Sequence, residues 1–335
     1  MLTYKSAGVD VSRIKKSQSA IGKIISSTHS GMVKSGFGHY AGLVGIHGGK
    51  YLATHTDGVG TKVLIANLLK KYDTIGIDCV AMNVNDIICI GATPISFVDY
   101  IAANKNNESI FVQIAKGLAM GAKKSGVPIV GGETAIMPDL FEEKKFAFDL
   151  AGMVAGLVDK NKIILGDKIK KNDVIIGIAS AGIHSNGYSL ARKVLLKKYS
   201  IHDTIKGLGK IGHAMLTPTE IYVKPVLDII SKCEVHGLAN ITGGAFTKLL
   251  RLKKTGFVLD SMPAPPKIMQ TIQDIGVSNE EMYKTFNMGV GFCVIAPKKE
   301  SDKIITICKK HTLKSYEIGH VSDRTGVFVG NKKLA

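Results

Sequence analysis

The chain has 335 residues, of which 45% are hydrophobic and 21% are charged. This composition excludes a disordered chain, and the length exceeds one ordinary core, so two domains are expected. Five cysteines without a CxxC pair argue against a zinc ribbon and suit a reducing compartment. No signal-peptide pattern opens the chain, and the longest apolar run, residues 150–158, is too short to cross a bilayer. We therefore expect a cytoplasmic protein with no membrane partner.

The formal net charge of +17 arises from 44 basic residues against 27 acidic residues. Such an excess can indicate nucleic-acid binding. Here the basic residues are spread along the chain in pairs, without interleaved aromatics, zinc-finger spacing or a basic tail. We therefore expect a solvated basic surface that attracts phosphorylated small molecules, and no nucleic-acid partner.

Hydrophobic spacing predicts alternating strands and helices. Residues 43–46 and 51–55 flank His47-Gly48-Gly49-Lys50, which is typical of a hairpin. Residues 73–91 predict an amphipathic helix, with Asp78 and Asn85 opposite its apolar stripe. The other predicted elements are strands at 95–102, 127–130, 146–158, 174–179 and 289–296, and helices at 108–125, 187–198, 219–232 and 301–311.

A turn at Gly166-Asp167 separates the two alternating halves. The sequence therefore predicts an α/β or α+β fold with domains at residues 1–166 and 167–335. The hairpin at 43–55 has few sequence-near partners, and unpaired apolar edges tend to be covered. We therefore expect a homodimer held mainly through the N-terminal half.

Common nucleotide-binding motifs do not explain the chain. The pattern GxxxxGK[ST] is absent. Residues 207–212 match GxGxxG, but neither a buried strand nor a βαβ unit surrounds them, which indicates a chance match in a loop. Other glycine pairs stand beside apolar runs, where they predict loops around a site.

The segment from Thr54 to Lys62 places a carboxylate, glycines, a hydroxyl and a lysine after one apolar strand. Asp57 could hold a divalent cation while Lys62 neutralises phosphate oxygens. The alternative is a plain Asp-Gly hairpin turn.

Two further acidic positions stand among apolar residues. Asp86 is flanked by aliphatic side chains, where an unpaired carboxylate costs several kcal/mol, so it needs a helix N-terminus, a lysine or a metal ion. Glu133 lies in Gly131-Gly132-Glu133-Thr134, at the end of a predicted strand. This distribution favours a magnesium–nucleotide site over structural ion pairs, because Mg²⁺ prefers a few carboxylates with phosphate oxygens and water.

Residues 182–189 link a predicted strand to a predicted helix. Ser185 or Asn186 would cap that helix and leave N–H groups free for an anion. His184 could transfer a proton or hydrogen-bond a phosphate, and its alternative is a structural histidine.

Together these segments resemble the phosphoribosylformylglycinamidine cyclo-ligases, also called aminoimidazole ribonucleotide synthetases, of purine biosynthesis. The resemblance runs nearly end to end and is carried by residues 4–10, 36–38, 56–62, 73–78, 85–86, 91–94, 131–135, 137–138, 184–190, 216–219, 241–244, 282–283 and 286–291. It implies a two-domain fold of that family's type, with N-terminal sheets paired across a dimer.

The resemblance also implies a reaction: ATP-dependent ring closure of formylglycinamidine ribonucleotide to aminoimidazole ribonucleotide, ADP and phosphate. An amide oxygen is a poor leaving group, so the γ-phosphoryl is transferred to it before the amidine nitrogen attacks and phosphate departs. Such a transfer asks for positioning and charge neutralisation. ATP and Mg²⁺ are the expected cofactors.

The implied site is spread over both halves of the chain. Asp57 and Asp86 are expected as magnesium ligands, with Asp86, His184 and Asn186 at the reacting groups. The expected nucleotide contacts are Gly58, Gly60, Thr61, Lys62, Gly131, Gly132, Glu133, Thr134, Ser185, Thr242, Gly243 and Gly244.

Three positions depart from the family pattern. Asn240 stands where histidine is common, Ala245 where a third glycine is common, and Ile136 where glutamate is usual. Rival interpretations are a sister ATP-using enzyme of the same superfold or a basic RNA-binding protein. The amidotransferase of the preceding purine step needs a far longer chain, and selenophosphate synthetase usually has an N-terminal reactive cysteine, whereas the first cysteine here is Cys79.

Overall fold

The computed structural model describes residues 2–35, 38–141 and 145–335. Gly36 and Phe37, which belong to one motif of the resemblance, lie outside them. Within these ranges no helix is both long and apolar enough to cross a membrane. The helices are α1 (Val11–Ile25), α2 (Val63–Leu69), α3 (Ile75–Ile87), α4 (Glu108–Ser125), α5 (Tyr188–Lys198), α6 (Ile211–Leu216), α7 (Val223–Lys232), α8 (Lys267–Asp274), α9 (Asn279–Thr285) and α10 (Ser301–Lys310).

The N-terminal half forms a six-stranded sheet in the order β1-β2-β3-β6-β4-β5. Its strands are β1 (Val33–Ser35), β2 (Gly42–Ile46), β3 (Lys50–Gly58), β4 (Thr93–Ala103), β5 (Ile129–Ile136) and β6 (Phe148–Asp159). The predicted hairpin is confirmed, because β2 and β3 pair antiparallel and the turn glycines Gly48 and Gly49 have φ of 76° and 68°. Two successive positive φ angles match the twist of a tight hairpin.

Helices cover one face of this sheet. Along β6, buried residues alternate with more exposed ones, so Leu150 and Val154 face the core while Met153 faces outward. Helix α3 packs on the inner face, where Cys79 Sγ fills part of the space above Gly152. Helix α4 lies against α3.

The C-terminal half forms a seven-stranded sheet in the order β10-β12-β7-β13-β11-β14-β15. Its strands are β7 (Val174–Ala179), β10 (Gly237–Asn240), β11 (Gly256–Leu259), β12 (Val290–Ala296), β13 (Ser315–Ser322), β14 (Gly326–Val329) and β15 (Lys332–Lys333). Neighbours β7 and β12 are buried almost throughout, as their continuous apolar sequences require. The predicted boundary near Gly166 falls between β6 and β7.

The GxGxxG match has no phosphate-loop geometry. Strands β8 (Thr204–Ile205) and β9 (Gly209–Lys210) pair as a short hairpin that contains part of it. The βαβ unit that a dinucleotide site requires is missing around this hairpin.

Helix α3 is more deeply buried than its sequence predicts. The predicted helix is confirmed at Ile75–Ile87, followed by a 3-10 helix at Ile88–Ile90. Every residue of α3 except Ile77 is buried. Its polar side, with Asp78 and Asn85, therefore packs against protein: Asn85 Nδ2 donates to the Glu220 carbonyl at 2.8 Å and Asn85 Oδ1 accepts from Tyr222 N–H at 2.9 Å.

Candidate functional site

Two carboxylates meet on the inner side of the N-terminal sheet, Asp57 near the end of β3 and Asp86 near the end of α3. Asn83 fixes the Asp57 backbone, because its side chain accepts from Asp57 N–H at 2.9 Å and donates to the Asp57 carbonyl at 3.1 Å. Burial, and then the negative charge of Asp86, raise the pKa of Asp57. Burial and the nearby Asp86 charge both disfavour a negative charge on Asp57 that no cation compensates.

The buried Asp86 finds its partner in the other half of the chain. Asn240, at the end of β10, donates from Nδ2 to Asp86 Oδ1 at 2.6 Å, and His55 Nε2 lies 3.5 Å from Asp86 Oδ2. The Asn240 amide donates a hydrogen bond to the Asp86 carboxylate but does not neutralise its negative charge. Asn240, one of the departures from the family pattern, thus touches a predicted metal ligand.

The donor set fits a magnesium ion that arrives with a nucleotide. Within the described ranges, no three or more His, Cys, Asp or Glu side chains group together as a metal site. Two carboxylates are nevertheless enough for Mg²⁺, which takes its remaining ligands from phosphate and water. A divalent cation would also relieve the repulsion that raises the pKa of Asp57.

The Lys62 side chain lies inside the protein, whereas the sequence pattern predicted that it contacts phosphate oxygens. Its side chain is fully buried, with Nζ 2.8 Å from Asp78 Oδ1 and 2.6 Å from the Thr217 carbonyl. Burial lowers the pKa of Lys62, and the neighbouring Asp78 opposes that shift. The ammonium therefore forms an internal ion pair in this structure, and its predicted contact with ATP phosphates stays a prediction.

Asp78 is the centre of a buried network that joins the two halves. Besides Lys62, its Oδ1 accepts from Ser185 Oγ at 3.0 Å, from Thr219 N–H at 2.8 Å and from Thr219 Oγ1 at 2.6 Å. Ser185 therefore faces Asp78 and is buried, and its predicted contact with the nucleotide stays a prediction. The sequence signal for Asp78 was its position on the polar side of a helix, and nothing local named its partners.

His184 sits in the loop before α5 with a strained backbone, at φ 65°. Such strain in a non-glycine residue is typical of functional sites. Nε2 accepts from Ala181 N–H at 3.1 Å, which assigns the proton to Nδ1, and Nδ1 has no hydrogen-bond partner among the described residues. Burial, with the charge of Lys62, lowers the pKa of His184 to about 3. The ring is therefore neutral with a buried, unpaired Nδ1–H, and its predicted role in proton transfer or phosphate binding stays a prediction.

Asn186 and the turn at Thr242-Gly243-Gly244 lie together beside α3. Asn186 Nδ2 lies 3.7 Å from Met82 Sδ. A Cβ on Gly243 would come 2.9 Å from Asn186 Oδ1, so the two loops are in close contact here. The structure therefore brings together segments that the sequence separates by more than fifty residues.

The segment Gly131 to Thr134 is a strand and not the predicted loop. It lies within β5, which pairs with β4 at the edge of the sheet as far as the structure is described, and its residues are mostly exposed. A Cβ on Gly132 would come 2.5 Å from Asp99 Oδ1, which explains the glycine. Asp99, whose pKa burial raises, is a polar group on this edge that sequence reasoning missed. Gly60 and Thr61, by contrast, are exposed in the turn after β3.

Sequence reasoning also missed Lys248. It lies in the 3-10 helix Ala245–Arg251, directly after the turn at Thr242, and is 8% exposed. Its Nζ contacts Thr242 Oγ1 and lies 5.7 Å from the centre of the Tyr40 ring. Nothing in the local sequence distinguishes it from the other basic residues.

Two mixed units of helices and strands, one in each half of the chain, are the arrangement of the AIR synthase related proteins, which have an N-terminal and a C-terminal domain. The chain belongs to this family, because the family's N-terminal domain model matches residues 38–158 and its C-terminal domain model matches residues 170–331. The fold predicted from the resemblance is thereby confirmed.

Curated relatives show which enzyme of this family the chain is similar to. Phosphoribosylformylglycinamidine cyclo-ligase from Pyrococcus horikoshii is 50% identical over 326 residues, 96% of this chain and 95% of the relative. The protein of that name from Methanocaldococcus jannaschii is 48% identical over 339 residues, 99% of this chain and 95% of the relative. The family resemblance stated from the sequence is confirmed.

Solved structures share the fold at low identity. Thiamine-monophosphate kinase from Stenotrophomonas maltophilia superposes with a TM-score of 0.67 at 16% identity, covering 93% of this chain and 95% of that one. Thermotoga maritima PurL complexed with AMPPCP gives a TM-score of 0.59 at 16% identity, covering 88% of this chain and 44% of that one. At this identity the likeness establishes the architecture alone.

Proposed function

We infer that this chain catalyses the ATP-dependent closure of formylglycinamidine ribonucleotide to aminoimidazole ribonucleotide, with release of ADP and phosphate. It is a ligase that forms a carbon–nitrogen bond. The observation that carries this function is the near full-length identity, 50% and 48%, to relatives named for the reaction. The buried carboxylate pair at Asp57 and Asp86 is the chemistry that such an enzyme needs.

The reaction balances in two steps. The amide oxygen of the substrate attacks the γ-phosphorus of ATP, and the bond to ADP breaks. The amidine nitrogen then attacks the activated carbon, loses a proton, and phosphate leaves with the former amide oxygen. Both steps move negative charge between oxygens, so the protein contributes mainly by orienting the reactants and neutralising charge.

The carboxylate pair is the proposed place for magnesium. Asp57 and Asp86 would hold the ion, with His55 and Asn240 positioning the Asp86 side chain. Bound there, the ion would supply positive charge to the phosphate oxygens. Gly58, Gly60, Thr61 and the turn at 242–244 remain the proposed nucleotide contacts.

His184 and Asn186 are proposed to contact the substrate. The unpaired Nδ1–H of His184 would donate to an oxygen of the bound ligand, and its neutral ring would do so without adding a charge. Asn186 offers an amide beside the Gly243 turn. The strand at 131–134, with Asp99, is a proposed ATP contact on the sheet edge.

The remaining proposals concern organisation. We place the domains at residues 1–166, for nucleotide binding and dimerisation, and 167–335. A homodimer is supported by the outer face of the N-terminal sheet, where Val44, Tyr100 and Met153 are 36%, 40% and 45% exposed. A cytoplasmic location is supported by the five cysteines, which are free thiols in the described ranges.

The direct test incubates the protein with ATP, magnesium and formylglycinamidine ribonucleotide and follows ADP and aminoimidazole ribonucleotide together. We expect the two products in equal amounts. The control is Asp86→Asn, which should keep its melting temperature and lose nearly all turnover. ATP consumption without ring closure would contradict the function, and a wild-type rate in Asp86→Asn would remove the metal role from Asp86.

A further inference from the structure

The chain buries two lysines near the site, and they differ in their partners. Lys62 is fully buried with Asp78 Oδ1 at 2.8 Å. Lys248 is 8% exposed, yet among the described residues no carboxylate oxygen lies within 4.0 Å of its Nζ, whose hydrogen-bond partner there is the Thr242 hydroxyl. A buried cation without an anion is unfavourable, because it loses hydration without gaining an ion pair.

The position of Lys248 indicates which anion would compensate the charge of its ammonium group. The Asp86 charge, and to a lesser extent the Asp57 charge, stabilise its protonated form against burial, so Lys248 is within electrostatic reach of both carboxylates. Arg251 lies on the same short helix, 5.8 Å from the Tyr40 ring that Lys248 also faces. A phosphate group that carries a bound metal ion pairs with carboxylates through the metal and with lysine or arginine through its own oxygens.

The turn before Lys248 adds a second reason. Thr242 contacts Lys248 Nζ and precedes Gly243-Gly244, which leaves backbone open beside the lysine. Asn240, two residues earlier, holds Asp86. One short segment therefore connects a proposed magnesium ligand, a glycine turn and an unpaired ammonium.

We propose that Lys248 binds a phosphate oxygen of a reactant in the ring-closing enzyme, the role that the sequence assigned to Lys62. The inference rests on the proposed function for its ligands. Two sources carry the same chemistry, the polyphosphate of ATP and the 5′-phosphate of the ribonucleotide substrate.

The test measures binding without reaction. Affinities for AMPPCP with magnesium, and separately for formylglycinamidine ribonucleotide, are measured by titration calorimetry in wild type, Lys248→Met, Lys248→Arg and the exposed control Lys254→Met. We expect Lys248→Met to weaken one of the two ligands by about 10- to 100-fold, since a charged hydrogen bond is lost. Lys248→Arg should recover most of it and Lys254→Met should match wild type. The weakened ligand identifies the source of the phosphate.

Thermal unfolding of the ligand-free proteins separates binding from structure. Because the ammonium lacks a counterion, Lys248→Met should melt at the wild-type temperature or above it. Affinities within twofold of wild type for both ligands would overturn the proposal, as would a large fall in melting temperature with both affinities retained. If Lys248→Met does not fold, Lys248→Gln takes its place. Wild type that binds both ligands without turnover would contradict the proposed function and leave the Lys248 comparison decisive.

Discussion

Lys62 and Lys71 each form an ion pair with an aspartate. The two N–O distances are similar, but one pair is buried and the other is exposed. The Lys62–Asp78 pair is fully buried at 2.8 Å, while the Lys71–Asp73 pair, at 2.7 Å, is 44% and 42% exposed. We expect Lys62→Met to lower the free energy of unfolding by about 3–5 kcal/mol, because it leaves a buried charge without its ammonium. Lys71→Met should cost less than about 1 kcal/mol.

Urea denaturation of both variants measures this difference. The folded fraction of Lys62→Met should bind AMPPCP as wild type does. Weak nucleotide binding in a Lys62→Met protein of wild-type stability would instead support the predicted contact of Lys62 with the ATP phosphates.

His184 makes stability depend on pH. Its pKa in the folded protein is about 3, below the ordinary value of 6.5, so between these values the unfolded chain binds a proton that the folded chain does not. The free energy of unfolding should therefore fall as the pH drops from 6.5 towards 3, by up to about 1.4 kcal/mol per unit from this residue. Asparagine at 184 cannot titrate and tolerates the positive φ.

The measurement compares wild type with His184→Asn in denaturation curves across that pH range. The stability of wild type should fall relative to that of the variant as the pH falls. Parallel curves would mean that His184 takes up its proton in the folded state. At neutral pH, lower turnover of the variant with unchanged stability would support the proposed contact with substrate.

At the scale of elements, hydrophobic periodicity predicted the bounds of helices and strands best where the element lies in one kind of environment. Helix α4 has the predicted bounds, 108–125, and strand β7 has the predicted 174–179. Helix α3 was located correctly, but its polar side is buried because Asp78 and Asn85 bond to residues 219–222. A helix's own sequence does not state what will cover its polar face.

Strand β5 shows a second limit. Gly131-Gly132 favours a turn, yet the strand continues to Ile136 because β4 supplies a parallel partner and Asp99 requires a residue without a Cβ opposite it. The site shows the same limit. Asp57 and Asp86 stood out as carboxylates beside apolar runs. Asn240 stood out only as a departure from the family pattern, and Lys248 had no local signal, so only the fold places them beside the candidate site.

The close contact of α3 with α4 depends on Gly76. A Cβ on Gly76 would come 2.5 Å from the Ile114 carbonyl, and closer still to Leu118 N, and both are backbone atoms of α4. Gly76→Ala should therefore destabilise the protein by about 1–3 kcal/mol, although alanine is the better helix former.

The matched control is Gly31→Ala, since a Cβ there would meet nothing within 4 Å. Its effect should stay within about 0.5 kcal/mol. Chemical denaturation of both variants decides the matter. Equal stability of Gly76→Ala and wild type would mean that the helices can separate without cost.

At the scale of the whole molecule, the site exists only where the halves meet. Asp86 takes its hydrogen bond from Asn240, and Asp78 takes three from Ser185 and Thr219. The N-terminal unit thus supplies the carboxylates, and the C-terminal unit adds hydrogen-bond donors to those that the N-terminal unit provides itself, Lys62 and His55. The arrangement around Asp78 and Asp86 therefore depends on both units.

The outer face of the N-terminal sheet carries the last prediction. Met153 lies in β6, between Thr56 of β3 and Val98 of β4, and is 45% exposed. If two such faces pair, Met153→Glu buries a charge in each copy of the interface and should weaken the dimer at least about 100-fold. Met120→Glu, on α4 and 56% exposed, changes the same side chain away from the sheet and should leave the dimer intact. Sedimentation velocity at micromolar concentration distinguishes the two variants, and a wild-type monomer there would contradict the dimer.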